Sequence, residues 1–174
     1  YDFMIALNHF KGHPMGGYGG ALKNLSIGCG SQNGKAYIHS AGKMEKLDIA
    51  KLWTPEYIGD QEGFLESMAA AAQAVTDYFT AKKGVICISV MNNMSIDCDC
   101  VDHPAPVKLE DYGILASTDP VAIDQACIDL VYACSDPGKP HLLERIESRN
   151  GVHTIEAAAA LGYGSREYTL VEVE

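Results

Sequence analysis

Apolar and polar positions follow two different periods along this chain. Phe3 to Leu7 is an apolar run closed by polar residues, and Val85-Ile86-Cys87-Ile88-Ser89-Val90 is a second, β-branched and bounded by Gly84. Both read as buried central strands. Between them Phe64, Leu65, Met68, Ala69, Ala72, Val75 and Phe79 recur at helical spacing, with Asp60 as N-cap and Gly84 as a stop just past Lys82-Lys83. Tyr112 to Ser117 predicts a third strand, after which Asp119-Pro120 sets a capping carboxylate before a proline at the first helical position. That helix runs to about Ala133.

Further on, Asp136-Pro137-Gly138 is a turn, Leu142 to Ile146 a short helix, and Thr154 caps a helix that stops at Gly162. Tyr168 to Val173 alternates apolar and polar residues, the pattern of a closing edge strand. The order of elements predicts one α/β domain over residues 1–174, layered, with a mostly parallel central sheet flanked by helices. No repeat and no low-complexity linker divides it. The start at Tyr1, inside a strand and without an initiator Met, reads as a fragment lacking an upstream portion.

Composition narrows the function classes. The 174 residues carry 13 basic and 23 acidic side chains, a formal net charge of −10. Such a chain is repelled by phosphate backbones, so nucleic acid is not an expected partner. No apolar stretch approaches the roughly 18 residues that a membrane span needs. Six cysteines without a secretory signal read as reduced thiols of a cytoplasmic protein. The charge is also uneven: residues 92–136 hold nine acids and one base, whereas residues 1–54 hold three acids and six bases. A local excess of acid points to a cation site. Nothing in the spacing sets the oligomeric state.

Two segments carry candidate chemistry. The first, His9 to Gly20, places Gly16, Gly17, Gly19 and Gly20 between a strand and a helix, where free helix-terminal amides and the Lys11 ammonium would hold an anionic small molecule; Lys23 would add charge. The spacing matches neither the P-loop nor the dinucleotide fingerprint, and a purely conformational turn is the alternative. The second is Asp97-Cys98-Asp99-Cys100-Val101-Asp102-His103. In extended chain, Cys98 and Cys100 point the same way and offer two thiolates to a divalent transition metal, with Asp99 as a hard oxygen ligand and His9 and His13 as nitrogen ligands. The alternatives there are a solvated acidic loop with two incidental thiols, or a strained local disulfide made during purification. Parallel strands would gather His9, the cysteines and Asp119 at one sheet edge. Cys87, Cys127 and Cys134 read as packing, and Cys29 could approach the cluster.

His9 to Gly28 (HFKGHPMGGYGGALKNLSIG), Asn92 to Cys100 (NNMSIDCDC) and Tyr112 to Leu130 (YGILASTDPVAIDQACIDL) resemble the C-terminal half of the uncharacterised prokaryotic family catalogued as domain of unknown function 362, and the stretch from Glu144 (ERIESRNGVHTIE) is similar too. Members of that family are usually longer upstream, and many are described as iron-sulfur proteins, which makes such a cluster a cofactor the resemblance implies. This chain has no ferredoxin-like Cys-x2-Cys-x2-Cys-x3-Cys run. Two functions follow as expectations. One is a metal-binding, redox-linked enzyme of anaerobic cytosolic metabolism that acts on an anionic small molecule. The other is a non-catalytic metal-binding or electron-transfer partner module.

Overall fold

The computed structural model describes residues 1–106 and 109–173. Its elements in chain order are strands β1 (Met4–His9), β2 (Lys11–His13) and β3 (Gly17–Gly19), then the single turn α1 (Ala21–Lys23), which continues as a π-helical turn, Asn24–Gly28. Helices α2 (Gln32–His39), α3 (Ile49–Leu52), α4 (Pro55–Ile58) and α5 (Gln61–Thr80) follow. Strands β4 (Val85–Met91) and β5 (Gly113–Ser117) and helices α6 (Pro120–Ala133), α7 (Lys139–Ser148) and α8 (His153–Ala160) complete them. No helix is long and apolar enough to cross a membrane among the described residues.

The main sheet has the order β1-β4-β5. β1 and β4 run parallel, from Met4 opposite Val85 to His9 opposite Val90. β5 runs antiparallel to β4, with Cys87 opposite Ser117 and Met91 opposite Gly113. The expected mostly parallel sheet is therefore mixed. A parallel crossover normally uses a helix, and the described residues between Met91 and Gly113 contain none, so the chain returns in the opposite direction. As a result Asp119 lies at the far end of the sheet from His9.

The helices cover one face. Ala6, Asn8, Val85, Cys87, Ser89 and Met91 point into the core with Phe10, Leu22, Leu25, Val121, Ile128 and Ile155. On the other face Ile5 and Leu7 are each 61% exposed and Ile114 is 67% exposed. Only β4 is central, and its buried and half-buried positions alternate along Val85–Met91. β1 is an edge strand with one open face, which corrects the expectation of two buried central strands: an apolar run marks a strand without showing how many faces are covered.

Helix ends match their local chemistry. Asp60 accepts from the Gly63 amide at 2.9 Å to start α5, and Gly84, at φ +95°, closes it by donating to the Phe79 carbonyl at 2.8 Å. Asp119 caps α6 through the amides of Val121 at 2.8 Å and Ala122 at 3.0 Å. Thr154 is no cap: it sits inside α8, where its buried hydroxyl oxygen has no partner. Residues Tyr168 to Val173 form no strand; Leu170, Val171 and Val173 are exposed, and the Tyr168 hydroxyl donates to Asp129 at 2.9 Å.

Candidate functional site: a basic cleft beside a dithiol turn

At the carboxyl end of β1 the chain folds over into the β2–β3 hairpin, in which Lys11 pairs with Gly19 and His13 with Gly17. The hairpin also holds the loop that follows β4. The Gly12 amide donates to the Ser95 carbonyl at 2.8 Å, and a Cβ on Gly12 would lie 2.1 Å from the Ile96 oxygen. Only glycine permits this approach. The loop is thereby laid beside Lys11 and His9.

Asp99 meets both. Its carboxylate lies 2.9 Å from Lys11 Nζ and 3.0 Å from His9 Nδ1, while His9 Nε2 lies 2.8 Å from the Asn92 carbonyl oxygen. Both ring nitrogens of His9 thus face oxygen atoms. Burial acts to raise Asp99, but Lys11 and then His9 outweigh it and hold the carboxyl below the usual range.

A cavity of about 370 Å³ opens next to this ion pair, with Asn8, His9, Lys11, Lys23, Lys35 and Asp99 among its walls. The stems of Lys11 and Lys23 cross the same glycine: a Cβ on Gly19 would lie 3.3 Å from Lys11 Cε and 3.5 Å from Lys23 Cδ. Lys23 forms no ion pair among the described residues, and burial, followed by repulsion from Lys11, pushes its ammonium below the ordinary lysine value against attraction from Cys98 and Cys100. Asn8 donates to Ser89 Oγ at 2.9 Å, leaving its own buried Oδ1 without a partner. A second cavity of about 70 Å³ is lined, among the described residues, by Ile96, Ala105, Pro106, Leu109 and His141, none of them a lysine, arginine or carboxylate.

The glycine run divides into packing and site. Gly19 and Gly20 line the cleft. Gly16 and Gly17 do not line it: Gly17, at φ +79°, packs on Gly151, whose Cα a Cβ would meet at 2.8 Å. The amides expected to bind an anion are already occupied. Asp124 of α6, fully buried, accepts from Ala21 N at 2.7 Å, Leu22 N at 3.0 Å and the Tyr18 hydroxyl at 3.1 Å. Gly20 exists for that contact, since a Cβ there would stand 2.4 Å from Asp124 Oδ1. Burial pushes Asp124 up to about 6 against these three donors. Nothing local in the sequence announces the pairing, because 103 residues separate Asp124 from Ala21.

His13 is brought close but turned to other work. Its Nδ1 accepts from the amides of Gly16 at 2.9 Å and Met15 at 3.2 Å, and burial, helped by Lys23, lowers it to about 3, so it is neutral. Cys98 is buried and Cys100 exposed, with their sulfurs 2.9 Å apart. Among the described residues no group of three or more His, Cys, Asp or Glu is placed to hold a metal ion. Of the expected ligand set, Cys98 meets Cys100, His9 meets Asp99, and His13 serves the Met15 and Gly16 amides. Cys29 is exposed.

The acidic excess of residues 92–136 also disperses. Asp97 pairs with Arg145 at 3.1 Å and accepts from Ala105 N at 2.9 Å; Asp111 accepts from Asn93 N at 2.6 Å and Asp136 from Gly138 N at 2.7 Å. These carboxylates satisfy backbone amides and one guanidinium, each at its own place.

The fold and site define a two-layer α/β protein with a basic cleft against one sheet edge. The chain belongs to the family described as Domain of unknown function (DUF362), whose model matches residues 1–129 and so contains every wall of the cleft and Asp124. The segment from Glu144 lies outside the match. No curated protein and no solved structure matches the chain.

Proposed function

We propose that the protein binds an anionic small molecule, bearing a phosphate or carboxylate group, in the cleft between Lys11, Lys23 and Lys35. The carrying observation is the convergence of the Lys11 and Lys23 stems over Gly19 with Asp99 as the one carboxylate among the cleft walls. Two ammonium groups brought together in a half-buried site repel each other, and a bound anion relieves that repulsion more strongly than water does. The volume of about 370 Å³ lies within the range of small-molecule sites. Asp99 pairs with Lys11 at 2.9 Å, and an anionic ligand competes with it. A redox-linked enzyme and a non-catalytic module would both begin with this binding step.

Calorimetric titration with inorganic phosphate and with malonate at low ionic strength tests the reading. Lys11→Met and Lys23→Met are expected to weaken binding by about tenfold or more, equivalent to about 1.4 kcal/mol each, and Lys35→Ala, at an exposed position, by less. Wild-type affinity in Lys23→Met, or no binding of either anion at millimolar concentration, would refute it. A transition metal at Cys98 and Cys100 would draw two protein thiolates from this arrangement. Elemental analysis of protein purified without oxygen tests that expectation.

A further inference from the structure

We infer that Cys98 and Cys100 form a reversible disulfide that holds Asp99 on Lys11 and His9 and so keeps Lys11 from an anion in the cleft. The coupling to the cleft rests on the reading above; the disulfide and its link to the ion pair stand on geometry alone.

The turn supplies that geometry. The Val101 amide donates to the Cys98 carbonyl at 2.9 Å, closing a β-turn in which Asp99 and Cys100 are the two central residues. The turn is anchored upstream. Asp97 is held by Arg145 of α7 and by the Ala105 amide, the Ser95 hydroxyl donates to the Asp97 carbonyl at 2.6 Å, and Gly12 fixes Ser95 to the hairpin. Within this frame the sulfurs lie 2.9 Å apart while the Asp99 carboxylate rests on Lys11 at 2.9 Å. A disulfide needs about 2.05 Å. Bond formation therefore calls for less than an ångström of movement from the conformer in which Asp99 pairs with Lys11. The bond would complete an eleven-membered ring that contains the Asp99 backbone, so the turn that presents the carboxylate to Lys11 is held covalently. In the dithiol only the hydrogen bonds of the turn and the ion pair hold Asp99 there, and an incoming anion can displace it.

The chemistry balances with a low-molecular-weight disulfide as oxidant. The exposed Cys100, whose thiol the contact with Cys98 and then burial hold above its ordinary value, attacks it through its thiolate fraction, forming a mixed disulfide and releasing one thiol. Cys98 then displaces the second thiol. Two electrons pass to the oxidant, and the two cysteine protons leave on the two released thiols. Cys100 is the accessible partner and Cys98 the resolving one, because only the former is exposed. Linkage makes the effect reciprocal: whatever favours Asp99 on Lys11 favours the disulfide, and an anion in the cleft favours the dithiol.

The test equilibrates the full chain with inorganic-phosphate-free glutathione buffers of varied oxidised-to-reduced ratio, alkylates free thiols and reads the peptide between Lys83 and Lys108 by tandem mass spectrometry. The expected result is a bond between Cys98 and Cys100 with Cys87 alkylated. Lys11→Met and Asp99→Asn should each shift the dithiol–disulfide equilibrium toward dithiol by about threefold to tenfold. The oxidised wild type should bind phosphate at least about fivefold more weakly than the reduced protein, and the Cys98→Ser variant should show no redox dependence. Failure of the bond to form under strongly oxidising buffer, stoichiometric metal on the two sulfurs, or an equilibrium unmoved by both Lys11→Met and Asp99→Asn would overturn the inference. If the bond forms and responds to these variants while no form of the protein binds phosphate or malonate, the anion reading fails and the locked turn stands.

Discussion

Replacing Asp124 probes the joint that sets the cleft. This carboxylate ties α6 to the start of α1, directly behind Gly19 and Gly20, through Ala21 N, Leu22 N and the Tyr18 hydroxyl. Asp124→Ala strands three buried donors and empties the space of the carboxyl group. Each unsatisfied buried donor costs about 1–3 kcal/mol, but neighbours relax, so we expect a net loss of about 3–5 kcal/mol at pH 7. Asp124→Asn keeps the volume. One of its two amide positions must then face an N–H, which costs about 1–2 kcal/mol, partly offset by removal of the buried charge.

The pH dependence separates charge from packing. Asp124 is raised from 3.8 to about 6 in the folded protein, so the native state holds the proton more tightly than the unfolded chain. The contribution is complete below about pH 4 and is lost as pH rises through about 6, with a magnitude of about 3 kcal/mol at 1.36 kcal/mol per pH unit. Urea denaturation of wild type and Asp124→Asn between pH 4.5 and 7.5 gives the assay, because background titration is shared and cancels in the difference. The stability advantage of wild type should grow as pH falls through this window. A difference that is flat with pH, or that shrinks on acidification, would refute the assignment of a buried, proton-binding carboxyl. A loss under 1 kcal/mol for Asp124→Ala would refute the hydrogen-bonding account itself.

Two further outcomes follow from the packing. Gly17→Ala forces a side chain into φ +79° and against Gly151 and the Ile146 carbonyl at 2.8 and 3.0 Å, and should cost about 2–4 kcal/mol by thermal denaturation; Gly19→Ala, which meets only the flexible ends of Lys11 and Lys23, should leave stability within about 1 kcal/mol and weaken phosphate binding. On the open face of the sheet, Leu7→Lys and Ile114→Lys should shift stability by under about 1 kcal/mol and reduce aggregation on heating, whereas Met91→Lys on the covered face should abolish folding. Equal losses on the two faces would show that the exposed face is covered in solution.

The elements themselves were legible along the chain. The spacing of Phe64, Leu65, Met68 and Ala72 with Asp60 and Gly84 at the ends defined α5, and Asp119-Pro120 defined the start of α6, because caps and periodicity are interactions among near neighbours. Lys11, Gly19 and Gly20 line the cleft, and the sequence singles them out because glycine and lysine advertise backbone approach and charge. The sense of β5 could not be read, because strand direction depends on how a connection crosses the sheet. The open face of β1 could not be read either, because an apolar run looks the same whether one face is covered or two.

The charges show the same division most clearly. In sequence the acids of residues 92–136 form a block and the lysines of residues 1–54 are spread out. In space the acids separate, Asp97 to Arg145 and the Ala105 amide, Asp111 to the Asn93 amide and Asp99 to Lys11 and His9, while Lys11, Lys23 and Lys35 line one cleft. The sequence by itself determined the α/β class, the family, the principal helices and the residue types available for chemistry, all of which rest on local pattern. Tertiary structure alone decided that the helix-terminal amides serve Asp124, that Asp99 rests on Lys11 and that the basic cleft is the candidate site. Those are contacts between residues about 90 to 100 positions apart, and hydrogen bonds and ion pairs depend on distance in space.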